Sequence, residues 1–161
     1  MTVLEVNRDP VALTFTIVSA FEAPAERVWQ VWSDPRQLER WWGPPGFPAT
    51  VLDHQLTPGG SITYYMTGPD GGKYHGWFRV ISVDAPRSLE FEAGCAIDSG
   101  QPTEEAPTTF IEVRLTSASP DATIMRVTTR FASIEEMEQL GGQQEGMTLA
   151  VGQINAILVA V

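Results

Sequence analysis

In 161 residues the chain has one cysteine, two histidines and one lysine. The lone Cys95 excludes an intramolecular disulfide. A chain of this length buries roughly 68–70% of its unfolded surface and needs neither disulfides nor a metal to fold. Two histidines and one cysteine, far apart in sequence, do not form a zinc-ligand pattern, so no metal is expected. No apolar run approaches the ~18 residues of a membrane-crossing helix. The N-terminus shows no basic segment leading to an apolar core and a small-residue cleavage site, so no signal peptide is expected. With a single thiol, this predicts a cytoplasmic protein. Cations are scarce: 10 Lys and Arg stand against 20 Asp and Glu, for a net charge of −10. Such a surface repels phosphate backbones, which argues against a nucleic-acid partner. There is no phosphate-binding Gly-rich loop, dinucleotide fingerprint, HExxH pair or Gly-x-Ser-x-Gly elbow, so no cofactor is expected either.

What is present is strand-like alternation. Val11 to Ser19 places Leu13, Phe15 and Ile17 on one side and Thr14 and Thr16 on the other. Two short helices follow. One begins at Pro24 with Val28, Val31 and Trp32 at helical spacing. The other begins at Asp34-Pro35, an N-cap acid followed by a first-turn proline, and carries Leu38, Trp41 and Trp42. Gly43-Pro44-Pro45-Gly46 ends it. Six strands are predicted next: Thr50 to Leu56, Ser61 to Thr67, Lys73 to Val83, Ser88 to Cys95, Thr109 to Ser117 and Thr123 to Phe131. Pro58-Gly59-Gly60, Pro69-Asp70-Gly71-Gly72, Ala85-Pro86-Arg87 and Ser119-Pro120-Asp121 punctuate them. Asp98 to Pro107 shows no periodicity and reads as a loop.

Residues 133–161 contain no proline and open on Ser133-Ile134-Glu135-Glu136, a capping-box pattern. Leu140, Met147, Ala150, Val151, Ile154, Ile157, Leu158 and Val161 recur at three- and four-residue steps, which predicts one long helix. Gly141-Gly142 costs roughly 1 kcal/mol per glycine in helix propensity and predicts a bend or break there, in the plainer reading a joint between two helices. Gln143 and Gln144 fall on or beside the apolar face, where incomplete packing would leave a hole with polar groups at its edge. Short links between strands imply antiparallel pairing, and only the C-terminal helix is large enough to cover the apolar face. The expectation is a single α+β domain over 1–161. A curved antiparallel sheet of about seven strands wraps the C-terminal helix, with two short helices after the first strand and residues 1–10 as an N-terminal extension.

Several motifs in this order resemble a known family. They are Phe21-x-Ala23-Pro24-x-Glu26-x-Val28-Trp29-x-Val31-Trp32, Leu38-Glu39-Arg40-Trp41-Trp42-Gly43-Pro44, Pro58-Gly59-Gly60, Pro69-Asp70-Gly71-Gly72, and Gly76-x-Phe78-Arg79-x-Ile81 leading to Ala85-Pro86-Arg87-Ser88-Leu89. Together they resemble the START-like (SRPBCC) superfamily, in the branch of homologues of the activator of the heat-shock protein 90 ATPase. The resemblance runs from about Leu13 to Leu158. It implies the helix-grip (START/Bet v 1-like) fold, with a small-molecule cavity between sheet and C-terminal helix. Two positions depart from the family pattern. Gln55 stands where many members carry an acid before the Pro-Gly-Gly turn, and Met147 follows Gly146 where members often carry Trp.

The candidate ligand-binding residues are Trp42, His54, Tyr64, Met66, Tyr74, Phe78, Phe91, Met125, Met137, Gln144 and Met147. His54, on the same side as Leu52 and Leu56, points inward in this reading and is the one weak candidate for a general base. Asp53 then faces away from it, and His75, sharing a face with Trp77 and Arg79, lies outside. Each inner aromatic or methionine serves equally well as plain core. Trp41 and Trp42 point about 100° apart on a helix, so either both close the end of the core, the plainer reading, or one packs under the sheet edge and the other roofs the cavity mouth. Cys95, on the inner face after Leu89, Phe91 and Ala93, has no basic neighbour in sequence to activate it.

Three functions remain open. The preferred one is a binding module for a small apolar or amphipathic molecule, with no membrane partner. The second is a cyclase- or hydrolase-type enzyme using the same cavity. The third is a co-chaperone-like domain acting on a large ATPase. The family resemblance also leaves a homodimer open.

Overall fold

The alternating segments pair into one antiparallel sheet of eight strands in a computed structural model, which describes residues 3–96 and 108–159. The strands are β1 (Val3–Asp9), β2 (Thr14–Phe21), β3 (Ala49–His54), β4 (Ser61–Thr67), β5 (Lys73–Asp84), β6 (Ser88–Ala96), β7 (Thr109–Ser119) and β8 (Ala122–Arg130). Their order across the sheet is β1-β2-β8-β7-β6-β5-β4-β3. Each strand from β3 to β8 pairs with the next. The chain leaves β2 through the two helices α1 (Ala25–Ser33) and α2 (Pro35–Trp41), and β2 is met again by β8. The loop predicted over Asp98 to Pro107 lies outside the described residues.

The eighth strand corrects one expectation. The N-terminal extension is itself a strand, β1, hydrogen-bonded to β2 as an edge. It carries Glu5, Asn7 and Arg8 at exposed positions, so it lacks the clean alternation of a half-buried strand. The turn between them also shifts the start of β2. The Asp9 carboxylate accepts the backbone N–H groups of Val11 and Ala12, both at 3.0 Å, which folds those residues into the turn. Val11 is accordingly 92% exposed instead of opening the strand.

The inner face of the sheet and the helices share one core. Trp32 is buried between Trp41, edge-on at 4.7 Å, and Phe91 at 6.1 Å. Phe91 in turn stacks on Phe78 at 4.3 Å. Asp34 caps α2 by accepting the Arg36 N–H, with Pro35 in the first turn, as the pattern of α2 predicts.

The C-terminal segment forms three helices: α3 (Ile134–Gln139), α4 (Gly141–Val151) and α5 (Ile154–Val159). Ser133 caps α3 by accepting the Glu136 N–H at 3.2 Å. The first break falls at Leu140 (φ −95°, ψ 19°), directly before Gly141-Gly142. The second, at Gly152-Gln153, has no counterpart in the sequence reading. There the Gln153 amide donates to the carbonyls of Trp41 (3.1 Å) and Gly43 (2.8 Å), which ties the chain to the end of α2. From that point α5 packs against α1 and α2, while α4 lies nearest β1 and β2. Among the described residues no helix is long and apolar enough to cross a membrane.

Candidate functional site

Strand register decides which side chains meet beneath the helices. Tyr64 of β4 is paired with Gly76 of β5, and Gly76 with Cys95 of β6. These three therefore form one row across the inner face. Because Gly76 has no side chain, the Tyr64 ring and hydroxyl lie on its Cα, where a Cβ would collide with both. The ring is flanked edge-on by Trp42 at 6.2 Å and by Phe78 at 5.5 Å.

This position gives Tyr64 an unusual environment. Burial pushes its phenol up to about 12, with the nearby Cys95 adding to the rise and the Trp42 indole opposing it. The side chain nevertheless keeps accessible surface and is only half-buried. The two facts describe different things: many protein atoms surround the phenol, while the residue as a whole keeps some accessible surface. Trp42 is 8% exposed, and its indole Nε1–H is buried with no hydrogen-bond partner. The other indoles nearby are engaged. Trp41 Nε1 donates to the Val31 carbonyl at 2.8 Å, and Trp32 Nε1 lies 3.5 Å from Met125 Sδ.

The start of α4 reaches one end of this row, at Cys95. The Gln143 amide lies 3.8 Å from Cys95 Sγ, and Cys95 is exposed. Met147, one turn along α4, is half-buried with its sulfur 3.8 Å from the Thr129 hydroxyl. Met66 is half-buried on β4 and packs on the same core. Tyr74, 54% exposed, meets Phe47 at 6.1 Å at the end of β4 and β5.

The residues expected to line a site thus separate. Trp42 and Tyr64 meet at 6.2 Å, and Met66 and Met147 each pack half-buried on the core, Met147 against Thr129. Phe78, Phe91, Met125 and Met137 are closed into the core, each no more than 1% exposed. Tyr74 sits at the surface. Gln144 is buried, and its amide donates to the Met137 carbonyl at 2.8 Å, bridging α3 and α4.

His54 is inward, opposite Ile62, but not for the expected reason. The pairing of β3 with β4 shifts register between Val51 and Asp53, which inserts Leu52 as a bulge and leaves it 54% exposed. Alternation through Leu52 therefore fails, and the bulge restores His54 to the inner side. Its Nε2 lies 3.0 Å from the Trp32 carbonyl, where it donates to the C-terminal turn of α1. Asp53 accepts from the Thr63 hydroxyl at 3.2 Å instead of meeting His54. No three His, Cys, Asp or Glu side chains gather into a metal-ligand group among the described residues.

Two surface grooves lie elsewhere. One of about 720 Å³ runs along the other flank of α4 and includes Val6, Arg8, Phe15, Gln144 and Leu149. Sequence reading missed it because it treated β1 as an extension. A polar groove of about 450 Å³ lies where α2 meets the Gly43–Pro48 loop, between Arg36, Glu39 and Thr50. Phe47 was also missed, since a lone aromatic after a Gly-Pro-Pro-Gly loop shows no periodicity.

Comparison with known proteins gives a consistent picture. A family model described as Activator of Hsp90 ATPase homolog 1-like protein matches residues 22–159. Among solved structures the chain is similar to a protein from Arthrobacter aurescens, at 46% identity and a TM-score of 0.93 over 98% of this chain and 92% of that one. It is also similar to protein Ms6760 from Mycobacterium smegmatis, at 42% identity and a TM-score of 0.89 over 99% and 98% of the two chains. The AHSA1 protein from Silicibacter pomeroyi shares the fold at 21% identity and a TM-score of 0.72, over 90% of this chain and 96% of that one. No curated protein matches the chain.

Proposed function

The chain belongs to the family of activator of Hsp90 ATPase homolog 1-like proteins, a START-like family, and we propose that it binds a small apolar or amphipathic molecule between the inner sheet face and the C-terminal helices. The observation that carries this reading is Tyr64. Tyr64 stands on the inner sheet face beside Trp42 and Phe78 and is still only half-buried, which suits a residue at the wall of a recess. Half-buried Met66 and Met147 supply apolar surface, and the Tyr64 hydroxyl and the Gln143 amide a few polar groups.

Catalysis is the weaker reading. Its one inward imidazole, His54, is engaged with the Trp32 carbonyl. An exposed free thiol at Cys95 suits a reducing compartment, so the cytosol is the location we propose.

The test is mass spectrometry of protein purified from its native host, under native and then denaturing conditions. An added small mass seen only in the native spectrum supports the binding module and supplies the ligand's formula. A clean apo mass counts against a tightly held ligand and brings a transient substrate or a chaperone partner forward. The same spectrum separates monomer from dimer.

A further inference from the structure

We infer that Arg36 and Glu39 of α2 lock the free edge of β3, standing where a strand of a second copy of the chain would otherwise pair and continue the sheet. β3 is the last strand of the sheet, with β4 on one side and, among the described residues, no strand on the other. An edge of this kind is a template for another chain unless something covers it. The Val51 N–H and C=O both point to that side, and α2 takes both. The N–H donates to Glu39 Oε2 at 2.9 Å, and the C=O accepts from Arg36 Nη2 at 2.9 Å. The two side chains also meet each other, Arg36 Nη1 to Glu39 Oε1 at 3.3 Å. Carboxylate, guanidinium and Val51 backbone thus close a ring. In an antiparallel pair, opposed residues exchange one N–H···O bond in each direction. The ion pair offers Val51 the same acceptor and donor that a strand residue would.

The sequence of α2 aims the pair. Asp34 and Pro35 fix the first turn, so Arg36 and Glu39, three residues apart, share one face. Leu38 and Trp41 anchor the helix in the core. On one side of Val51 the bulge pushes Leu52 outward, which also spoils the edge for pairing. On the other, Gly43 passes so close that a Cβ on it would lie 2.7 Å from the Ala49 nitrogen. α2 and its C-terminal loop therefore cover β3 at both Ala49 and Val51. Arg36 is exposed and Glu39 half-buried, so the lock is separable from the core beneath it. Uncovered, β3 suits a copy of itself. An antiparallel pair centred on Val51 sets Thr50 opposite Leu52 and Ala49 opposite Asp53, with no like charges opposed.

The test removes the lock with the double variant Arg36→Ala, Glu39→Ala in the whole chain. Analytical ultracentrifugation over a concentration series gives the oligomeric state, and amide hydrogen exchange followed by NMR reads Val51. In the wild-type protein the Val51 amide should be protected to the same degree at every concentration. In the dilute double variant it should exchange about tenfold faster or more, while the amides of β7 and β8 hold. Raising the concentration should then produce a dimer, with protection of Val51 returning in step. Arg36→Lys, which keeps a donor for the Val51 carbonyl, should stay locked. A folded double variant that remains monomeric throughout overturns the inference. So does a dimer whose Val51 amide stays unprotected, since it forms elsewhere, or a wild-type Val51 whose protection rises with concentration. Should the double variant not fold, Glu39→Ala alone removes the acceptor and leaves Asp34, Leu38 and Trp41 in place, and the same two readouts decide.

Discussion

The aromatic ring of Tyr64 rests on the bare Cα of Gly76, its direct cross-strand partner. This contact lets the phenol lie low on the sheet with Trp42 and Phe78 at its sides. Any side chain at position 76 would lift the ring.

Gly76→Ala is therefore expected to destabilise the protein by about 1–3 kcal/mol, the usual penalty for forcing extra volume into a packed interior. A gain from reduced unfolded-state freedom is smaller, about 0.4–1 kcal/mol, so the clash should prevail. Chemical denaturation of the two proteins, compared at unchanged m-value, checks the figure. An unchanged midpoint would mean that Tyr64 moves aside freely.

The raised phenol makes stability depend on alkaline pH. Tyr64 in the folded chain holds its proton to about 12, above the ordinary value of 10.0. Between those values the native state binds the proton and the unfolded chain releases it, so stability falls as pH rises. The contribution is complete below pH 10 and lost as pH passes through 12, and amounts to roughly 2 kcal/mol given the partial exposure of the ring. Phenolate absorbance should show one of the three tyrosines titrating late. Tyr64→Phe should remove that late step and flatten stability between pH 10 and pH 12, a window set by the shift itself.

His54 provides a separate test of whether the inner face does chemistry. Its imidazole N–H donates to the Trp32 carbonyl at the last turn of α1. A half-buried hydrogen bond of this kind contributes about 1 kcal/mol. His54→Ala should lower the thermal midpoint accordingly and leave binding of a small molecule beside Tyr64 within twofold. A large loss of binding without a loss of stability would make His54 part of the site.

The sheet was legible in the sequence because alternation survives wherever one face is wet, as in Leu89, Phe91 and Ala93 against Glu90 and Glu92. The motif resemblance pointed to the same fold. β1 was not legible, since an edge strand bearing Glu5, Asn7 and Arg8 buries too little to show a period. The direction of His54 depended on the bulge at Leu52, and a bulge leaves no mark in a hydrophobic pattern. Nor could inner-face residues be sorted into wall and core. Met125 and Met66 look alike in sequence. Met125 lies against Trp32 with no exposed surface, whereas Met66 sits further toward the end of its strand and stays half-open. That distinction belongs to the tertiary packing of helices whose breaks, at Leu140 and Gly152, are only half announced by glycine.

The second of those breaks supports the last prediction. Gln153 stands between α4 and α5 and spends its amide on two carbonyls, those of Trp41 and Gly43. The Trp41 carbonyl belongs to the last turn of α2, where carbonyls lack partners within the helix. Gln153 thus holds the C-terminal segment to the same end of α2 that delivers Trp42 to Tyr64. Gln153→Leu keeps the bulk and removes both donors. It should cost about 1–3 kcal/mol in stability, since two partly buried acceptors lose their partner. It should also loosen Trp42, which amide and indole hydrogen exchange would register as faster exchange at α5 and at the Trp42 N–H, with strands β7 and β8 unchanged. Uniformly faster exchange across the whole sheet would mean that Gln153 contributes only to global stability and does not specifically anchor the Trp42 end of the site.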